Sequence, residues 1–285
     1  MLLKTYYKGY SEGTQSKYNA PAKSPSWVDF WELNPSKILE DGLDWIFGVH
    51  AVQSVLKSAP ERVEELVLQS GRLDDRLQKI QRLAALHGVT VQLASLKNIS
   101  AKVTGRHQGV IARCAEGPTH DESFLYALAK KSAQKGFFLM LDGVTDPHNL
   151  GACLRSAACA GVDAVIVPKD NSVGLTPTVQ KVASGAAELI PLVVVTNLSR
   201  TLVNLQELGV WVVGMTGDAS ASLYDLDVRG ASLLVMGSED TGLRDLTKKH
   251  CDFLAKIPMT GDVESLNVSV AAGVAMFEVA RQRAL

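Results

Sequence analysis

Ile257-Pro258-Met259-Thr260-Gly261-Asp262-Val263-Glu264-Ser265-Leu266-Asn267-Val268-Ser269-Val270-Ala271-Ala272-Gly273 is the stretch from which the fold is read. An apolar run over 253–257 precedes the loop and reads as a strand, and a helical pattern follows over 268–283. Strand, polar loop and helix in that order are the repeating unit of an open α/β sheet. Ligands of such sheets bind where loops leave the carboxyl ends of the strands. Backbone N–H groups are unpaired there, and a helix start adds positive potential. Ser265 and Asn267 fall at or beside the helix N-cap. Taken alone they read as caps, because Ser and Asn lead the N-cap ranking.

Upstream, the same alternation recurs back to residue 137. Apolar runs over 137–141, 164–167, 190–195, 210–213 and 232–236 read as strands, with helical patterns over 150–160, 176–185, 198–208 and 243–249 between them. The runs are continuously apolar, as expected for a parallel sheet covered on both faces. The terminal helix carries two apolar stripes. Val268, Ala271, Ala272, Ala275 and Val279 make one, and Val270, Gly273, Val274 and Phe277 make the other. One stripe can pack on its own sheet. The other needs separate cover, so a homodimer is expected.

Residues 45–114 read as a smaller α/β unit. Helices are expected over 49–56, 73–86 and 96–103, and strands over 65–68, 89–91 and 109–112. Ten Lys/Arg stand against five Asp/Glu there, a net of +5, while 137–285 carries eleven against sixteen, a net of −5. A basic module joined to an acidic α/β domain fits a polyanion partner, and an ordinary solvated surface fits as well. Arg72, Arg76, Arg82, Lys97, Lys102 and Arg106 supply much of the charge. Gly105-Arg106-His107-Gln108-Gly109 suits contact with phosphate or base, or is a plain turn. Residues 115–136 read as a linker with one helix over 124–131. Residues 1–44 set Tyr6, Tyr7, Tyr10, Tyr18, Trp27, Phe30 and Trp31 among polar residues without apolar period. They read as a disordered extension with one short turn over 27–33.

No membrane span, secretory leader, disulfide framework or metal site is expected. No run is long enough to cross a membrane, and the N-terminus lacks the pattern of a secretory signal. Cys114, Cys153, Cys159 and Cys251 have no C-x-x-C spacing, which points to reduced thiols in a cytoplasm. The six histidines form no H-x-x-x-H pair, so no metal is expected.

Three loops carry the polar residues. The first is Asp142-Gly143-Val144-Thr145-Asp146-Pro147-His148-Asn149-Leu150-Gly151-Ala152-Cys153-Leu154-Arg155. In it Pro147 suits a turn, Asn149 a cap, and Leu150, Leu154, Ala157 and Gly161 the buried stripe, leaving Arg155 to one side. The second is Gly237-Ser238-Glu239-Asp240-Thr241-Gly242-Leu243, which is neither a P-loop nor a dinucleotide fingerprint. The third is the opening stretch.

In this order the three loops resemble the three motifs of the SpoU branch of the SPOUT methyltransferases. Its members methylate the ribose 2′-hydroxyl of RNA with S-adenosylmethionine. Asp146-Pro147-His148-Asn149-Leu150-Gly151-Ala152-Cys153-Leu154-Arg155-Ser156, Val165-Ile166-Val167-Pro168-Lys169-Asp170 and Ser265-Leu266-Asn267-Val268-Ser269-Val270-Ala271 carry the likeness. It spans about 45–283. It implies a parallel-sheet domain with a deep trefoil knot, preceded by a ribosomal-protein-like RNA-binding domain. It implies cofactor contacts at Gly237, Ile257 and Leu266, with Arg155 as the catalytic arginine, Glu239 as the acid of the second motif, and Asn149, Ser265 and Asn267 as polar supports in the catalytic set. The implied substrate is 23S rRNA at guanosine 2251, with another rRNA or tRNA nucleotide as the alternative. Asp240 stands where the second motif usually has Gly, and its Cβ is expected to shift that loop. Arginine is normally locked in its charged form. Arg155 therefore either acts as a strongly perturbed base or clamps a phosphate and polarises the hydroxyl. A non-catalytic RNA-binding or ribosome-assembly protein with the same fold is the other reading.

Overall fold

The computed structural model describes residues 43–285, apart from 73, 104, 116, 118, 119, 263 and 264. The expected extension over 1–44, with its turn over 27–33, falls almost wholly outside the described residues, as do the expected first residue of the 73–86 helix and part of the linker.

The first sheet holds four strands in the order β1-β4-β2-β3: β1 (Leu43–Phe47), β2 (Val63–Gln69), β3 (Val91–Ala94) and β4 (Val110–Ala115). β4 pairs antiparallel with β1 and β2, and β2 pairs parallel with β3. Side chains alternate across β2. Leu66 and Leu68 pack with α1 (Val49–Ser58) and α2 (Asp75–Leu86), while Val67 packs with Ile99 and Val103 of the α3 (Leu96–Lys102) segment. Asp74 caps α2 through the Leu77 N–H, and Ser95 caps α3 through Asn98. β1 is an edge strand that the sequence reading did not anticipate. Its five residues, Leu43 to Phe47, are too few to declare a period.

The second sheet is all parallel, in the order β7-β6-β5-β10-β8-β11-β9. Its strands are β5 (Phe137–Asp142), β6 (Ala164–Pro168), β7 (Leu192–Val195), β8 (Trp211–Met215), β9 (Ala221–Ser222), β10 (Ser232–Gly237) and β11 (Phe253–Lys256). All six residues of β5 are buried. Phe137, Leu139 and Leu141 face the layer of α5 (Pro147–Ala160) and α9 (Val268–Arg283). α4 (Glu122–Ser132) and α7 (Leu198–Glu207) pack against each other and against β7 and β8. The second half of the expected linker therefore belongs to this layered unit. His120 is bridged to β7, its carbonyl accepting from Val194 N–H. α6 (Pro177–Ala183) lies on α5, and α8 (Asp245–Lys249) precedes β11.

Two local expectations need correction. Asn149 does not cap α5. Asp146 does, its carboxylate accepting from His148 N–H, and Pro147 takes the first helical position, where no N–H is needed. Gly161 does not extend the buried stripe of Leu150, Leu154 and Ala157. It is exposed and ends the helix at φ 79°, a left-handed conformation that glycine adopts without strain. Arg283 is the last residue of α9. Its guanidinium donates to the carbonyls of Lys135, Gly136 and Gly230 and lies 4.8 Å from the centre of the Phe137 ring.

Candidate active site

Because the seven strands are parallel, the loops after β5, β8, β10 and β11 leave from one edge of the sheet. The C-terminal residue of β10, Gly237, pairs with Asp142 at the end of β5. A Cβ built on Gly237 would lie 2.1 Å from the Gly242 carbonyl carbon and 2.3 Å from Leu243 N, so only glycine fits there. The loop folds back on itself. Ser238 and Gly242 exchange both backbone hydrogen bonds, at 3.1 and 3.0 Å, and Ser238 Oγ meets Thr241 at both its hydroxyl and its N–H. Asp240 sits exposed at the tip and is not among the residues with positive φ, so its Cβ meets no left-handed backbone there.

The polar residues of the three loops meet in one network. Glu239 Oε1 accepts from Asn149 Nδ2 at 2.7 Å and from Asn267 Nδ2 at 2.6 Å. Asn267 Nδ2 also donates to Asn149 Oδ1 at 3.0 Å. A carboxylate can only accept, so both amides must turn their nitrogens to Glu239, which fixes their orientation. Asn267 Oδ1 then caps α9, accepting from Ser269 N–H at 3.0 Å and Ser269 Oγ at 2.6 Å. Asn149, 6% exposed, is thereby a cross-link between α5, the Gly237 loop and the start of α9. Ser269 is a member of this network that the sequence reading passed over. Its place two residues after the N-cap is the signal that could have found it.

Arg155 lies six residues beyond Asn149, about 9 Å along the axis of α5. It is exposed and, among the described residues, has no hydrogen-bond or ion-pair partner. The structure does not draw it into the Asn149–Glu239–Asn267 network. Ser265 is exposed and also stands outside it. Leu266 is 37% exposed and Ile257 half-buried, each beside a loop that borders the end of β8. That strand end was missing from the sequence reading. β8 lies between β10 and β11, so Met215, Thr216 and Gly217 fall between the Gly237 and Ile257 loops. Gly217 has open space around it, which permits close approach of a ligand. This edge offers the partly exposed apolar side chains of Ile257 and Leu266 and the open backbone at Gly217, and Arg155 is an exposed guanidinium on α5.

Asp142 is buried at the same edge. One carboxylate oxygen accepts from Thr247 Oγ1 at 2.7 Å, and the other lies 2.9 Å from Arg244 Nε. Cys114 and Cys153 are buried and Cys251 is partly buried. Burial pushes Cys114, Cys153 and Cys251 up to about 12. Among the described residues no group of His, Cys, Asp and Glu is placed to hold a metal ion.

Residues 136–277 match the model of the SpoU rRNA Methylase family, and residues 45–119 match that of the RNA 2'-O ribose methyltransferase substrate-binding domain. A Pseudomonas aeruginosa protein named 23S rRNA (guanosine-2'-O-)-methyltransferase RlmB is 53% identical over 84% of this chain and 96% of its own length. The chain belongs to the SpoU rRNA methylase family. The Escherichia coli K12 member of that name is 52% identical over 84% of this chain and 99% of its own length. Among solved structures, the SpoU methyltransferase AviRb of Streptomyces viridochromogenes, in complex with AdoMet, superposes with a TM-score of 0.71 at 21% identity, covering 91% of this chain and 99% of that one. An RNA 2'-O ribose methyltransferase gives 0.68 at 24% identity, over 85% and 90%. At those identities the superpositions show a shared fold.

Proposed function

We propose that the chain transfers a methyl group from S-adenosylmethionine to the ribose 2′-hydroxyl of a guanosine in 23S rRNA, the nucleotide being guanosine 2251. The observation that carries this is the Asn149–Glu239–Asn267 network. It ties three loops of one sheet edge together and leaves Arg155 unspent beside them. The names of relatives that match nearly their whole length support the same reaction and substrate.

The residues present fit the cofactor. Gly237 brings its loop backbone tight against the end of β10, Gly217 leaves room for close approach, and Leu266 and Ile257 offer apolar surface. When bound, the cofactor supplies a methyl group already activated by its sulfonium. The remaining task of the protein is placement. Arg155 clamps the phosphate beside the target ribose and polarises the hydroxyl, a role for which a charged, planar fork is suited. Asn149, Glu239 and Asn267 hold the loops, and Ser265 borders the same edge. The basic unit over 45–114 holds the RNA. Its Arg72, Arg76, Arg82, Lys97, Lys102, Arg106 and Arg113 side chains are all exposed. Gln108 is held at φ 54° with its side chain accepting from Val49 N–H, so the 105–109 loop is set in place before RNA arrives.

The same reading includes the knot over 137–285, a cytoplasmic location and a homodimer through α9. Val270 and Phe277 of its outer stripe are 52% and 51% exposed, which supports the last of these. No helix among the described residues is long and apolar enough to cross a membrane. The test is single-turnover methylation of a 23S rRNA fragment with mapping of the 2′-O-methyl site. Cofactor binding by calorimetry without methylation of any RNA would favour a non-catalytic RNA-binding protein instead.

A further inference from the structure

The four-stranded unit does not hang free of the seven-stranded one. Arg62, in the turn before β2, reaches across to Glu188, which follows α6. Its Nη1 donates to Glu188 Oε2 at 2.5 Å, while Nε and Nη2 donate to the carbonyl of Ala115 at 3.1 and 3.0 Å. The Arg62 and Glu188 side chains are 13% and 8% exposed. An ion pair withdrawn from water to this degree survives only in a fixed geometry, because each charge left alone would be costly. A second contact lies beside it. A Cβ on Gly185, at φ 90°, would fall 2.5 Å from Ser54 Oγ and 2.9 Å from the His50 carbonyl, so α1 rests directly on that backbone. A third lies on the far side of α6. A Cβ on Gly151 of α5 would meet Val182 Cβ at 2.7 Å and the Val179 carbonyl at 2.9 Å. Close contacts thus link α1 to the 185–188 turn and α6 to α5, beside a small cavity lined by Phe47, Ala51, Gln180 and Lys181. α5 carries both Asn149 and Arg155.

From this geometry we infer that Arg62 and Glu188 are positioning residues. They dock the RNA-binding unit in one register on the 185–188 turn, so that the RNA it holds presents the target ribose to Arg155. The inference rests on the proposed methyltransfer reading and deepens it. Interiors packed to crystal density transmit displacement, and reaction rates are steep in placement. Loss of the register therefore lowers the rate of the chemical step and leaves the affinity of each unit for its own ligand in place.

The test uses the full chain. Glu188→Ala leaves Arg62 unpaired, Glu188→Gln keeps an acceptor for it, and Gly185→Val forces α1 away from the turn. Four quantities are measured for each: single-turnover rate at saturating rRNA fragment, RNA affinity, cofactor affinity, and the small-angle scattering profile of the protein alone. Glu188→Ala and Gly185→Val are expected to slow the step at least about tenfold, hold both affinities within about twofold, and enlarge the radius of gyration. Glu188→Gln, which keeps an acceptor but no counter-charge, is expected to fall between wild type and Glu188→Ala in rate and to hold both affinities. An unchanged rate in Glu188→Ala and Gly185→Val overturns the inference. So does a parallel loss of cofactor affinity, which would mean general unfolding. A wild-type chain that methylates no RNA sinks the underlying reading instead, and the scattering comparison still reports on the docking.

Discussion

Arg155 and Asn149 share a helix and have opposite fates. Every hydrogen-bonding group of the Asn149 side chain that the network can use is directed inward, whereas the five donors of Arg155 face solvent. Replacing Arg155 with Ala is expected to cut single-turnover methylation by about a hundredfold or more with cofactor affinity unchanged. Arg155→Lys should recover little of it if the planar fork matters. Wild-type rates in Arg155→Ala would remove the residue from the mechanism, and activity regained by the Lys variant at high pH would make it a base. Gly237 is a poor probe of cofactor contact, since any side chain there collides with the backbone of Gly242 and Leu243 and opens the loop. Leu266→Asp is the cleaner one. Being 37% exposed, it should lose cofactor affinity about tenfold or more without a shift in melting temperature. Calorimetry showing wild-type affinity would withdraw Leu266 from the site. The sequence announced these positions through motif likeness. It did not announce that the two asparagines turn their amides to one carboxylate, because that depends on which loops the sheet order brings together.

α9 does three jobs at once. Its inner stripe, with Ala272, Ala275 and Val279 at 0% exposure, fills the core. Its first residues hold the Asn267 cap, and its outer stripe, Val270 and Phe277, faces away. The two-stripe pattern was legible from residue spacing, since a helix apolar all round must be covered all round. The division of labour was not, and it changes the experiment. A charge at Ala275 would unfold the protein, whereas Phe277→Glu leaves the core intact and should convert a dimer into monomers in light scattering at micromolar concentration. A wild-type monomer there would refute the dimer. β9, two residues long, and β1, five, escaped the sequence reading for a physical reason: strands so short carry no measurable period.

On the scale of the whole molecule, the parallel sheet was read almost strand for strand, because doubly covered strands are continuously apolar. The packing of the segment after residue 119 onto that sheet was not. It places His120, whose imidazole lies 3.9 Å from the Phe124 ring, against β7, where burial lowers its pKa to about 4. The unfolded chain, titrating near 6.5, holds that proton more tightly than the folded one. Stability is therefore full above about pH 6.5, falls as pH drops toward about 4, and levels off below, a loss of roughly 3 kcal/mol at most from this group. Melting of the wild type should fall more steeply between pH 7 and 5 than melting of His120→Gln, and equal slopes would assign the acid sensitivity elsewhere. Sequence separation adds a consequence for synthesis on the ribosome. Asn267 bonds to Asn149 across 118 positions and to Glu239 across 28. The RNA-binding unit lies wholly upstream of both. A nascent chain therefore carries the proposed RNA-holding unit long before the residues that complete the site, and a chain cut short of α9 is expected to bind an rRNA fragment without methylating it, which a filter-binding assay beside a methylation assay would check.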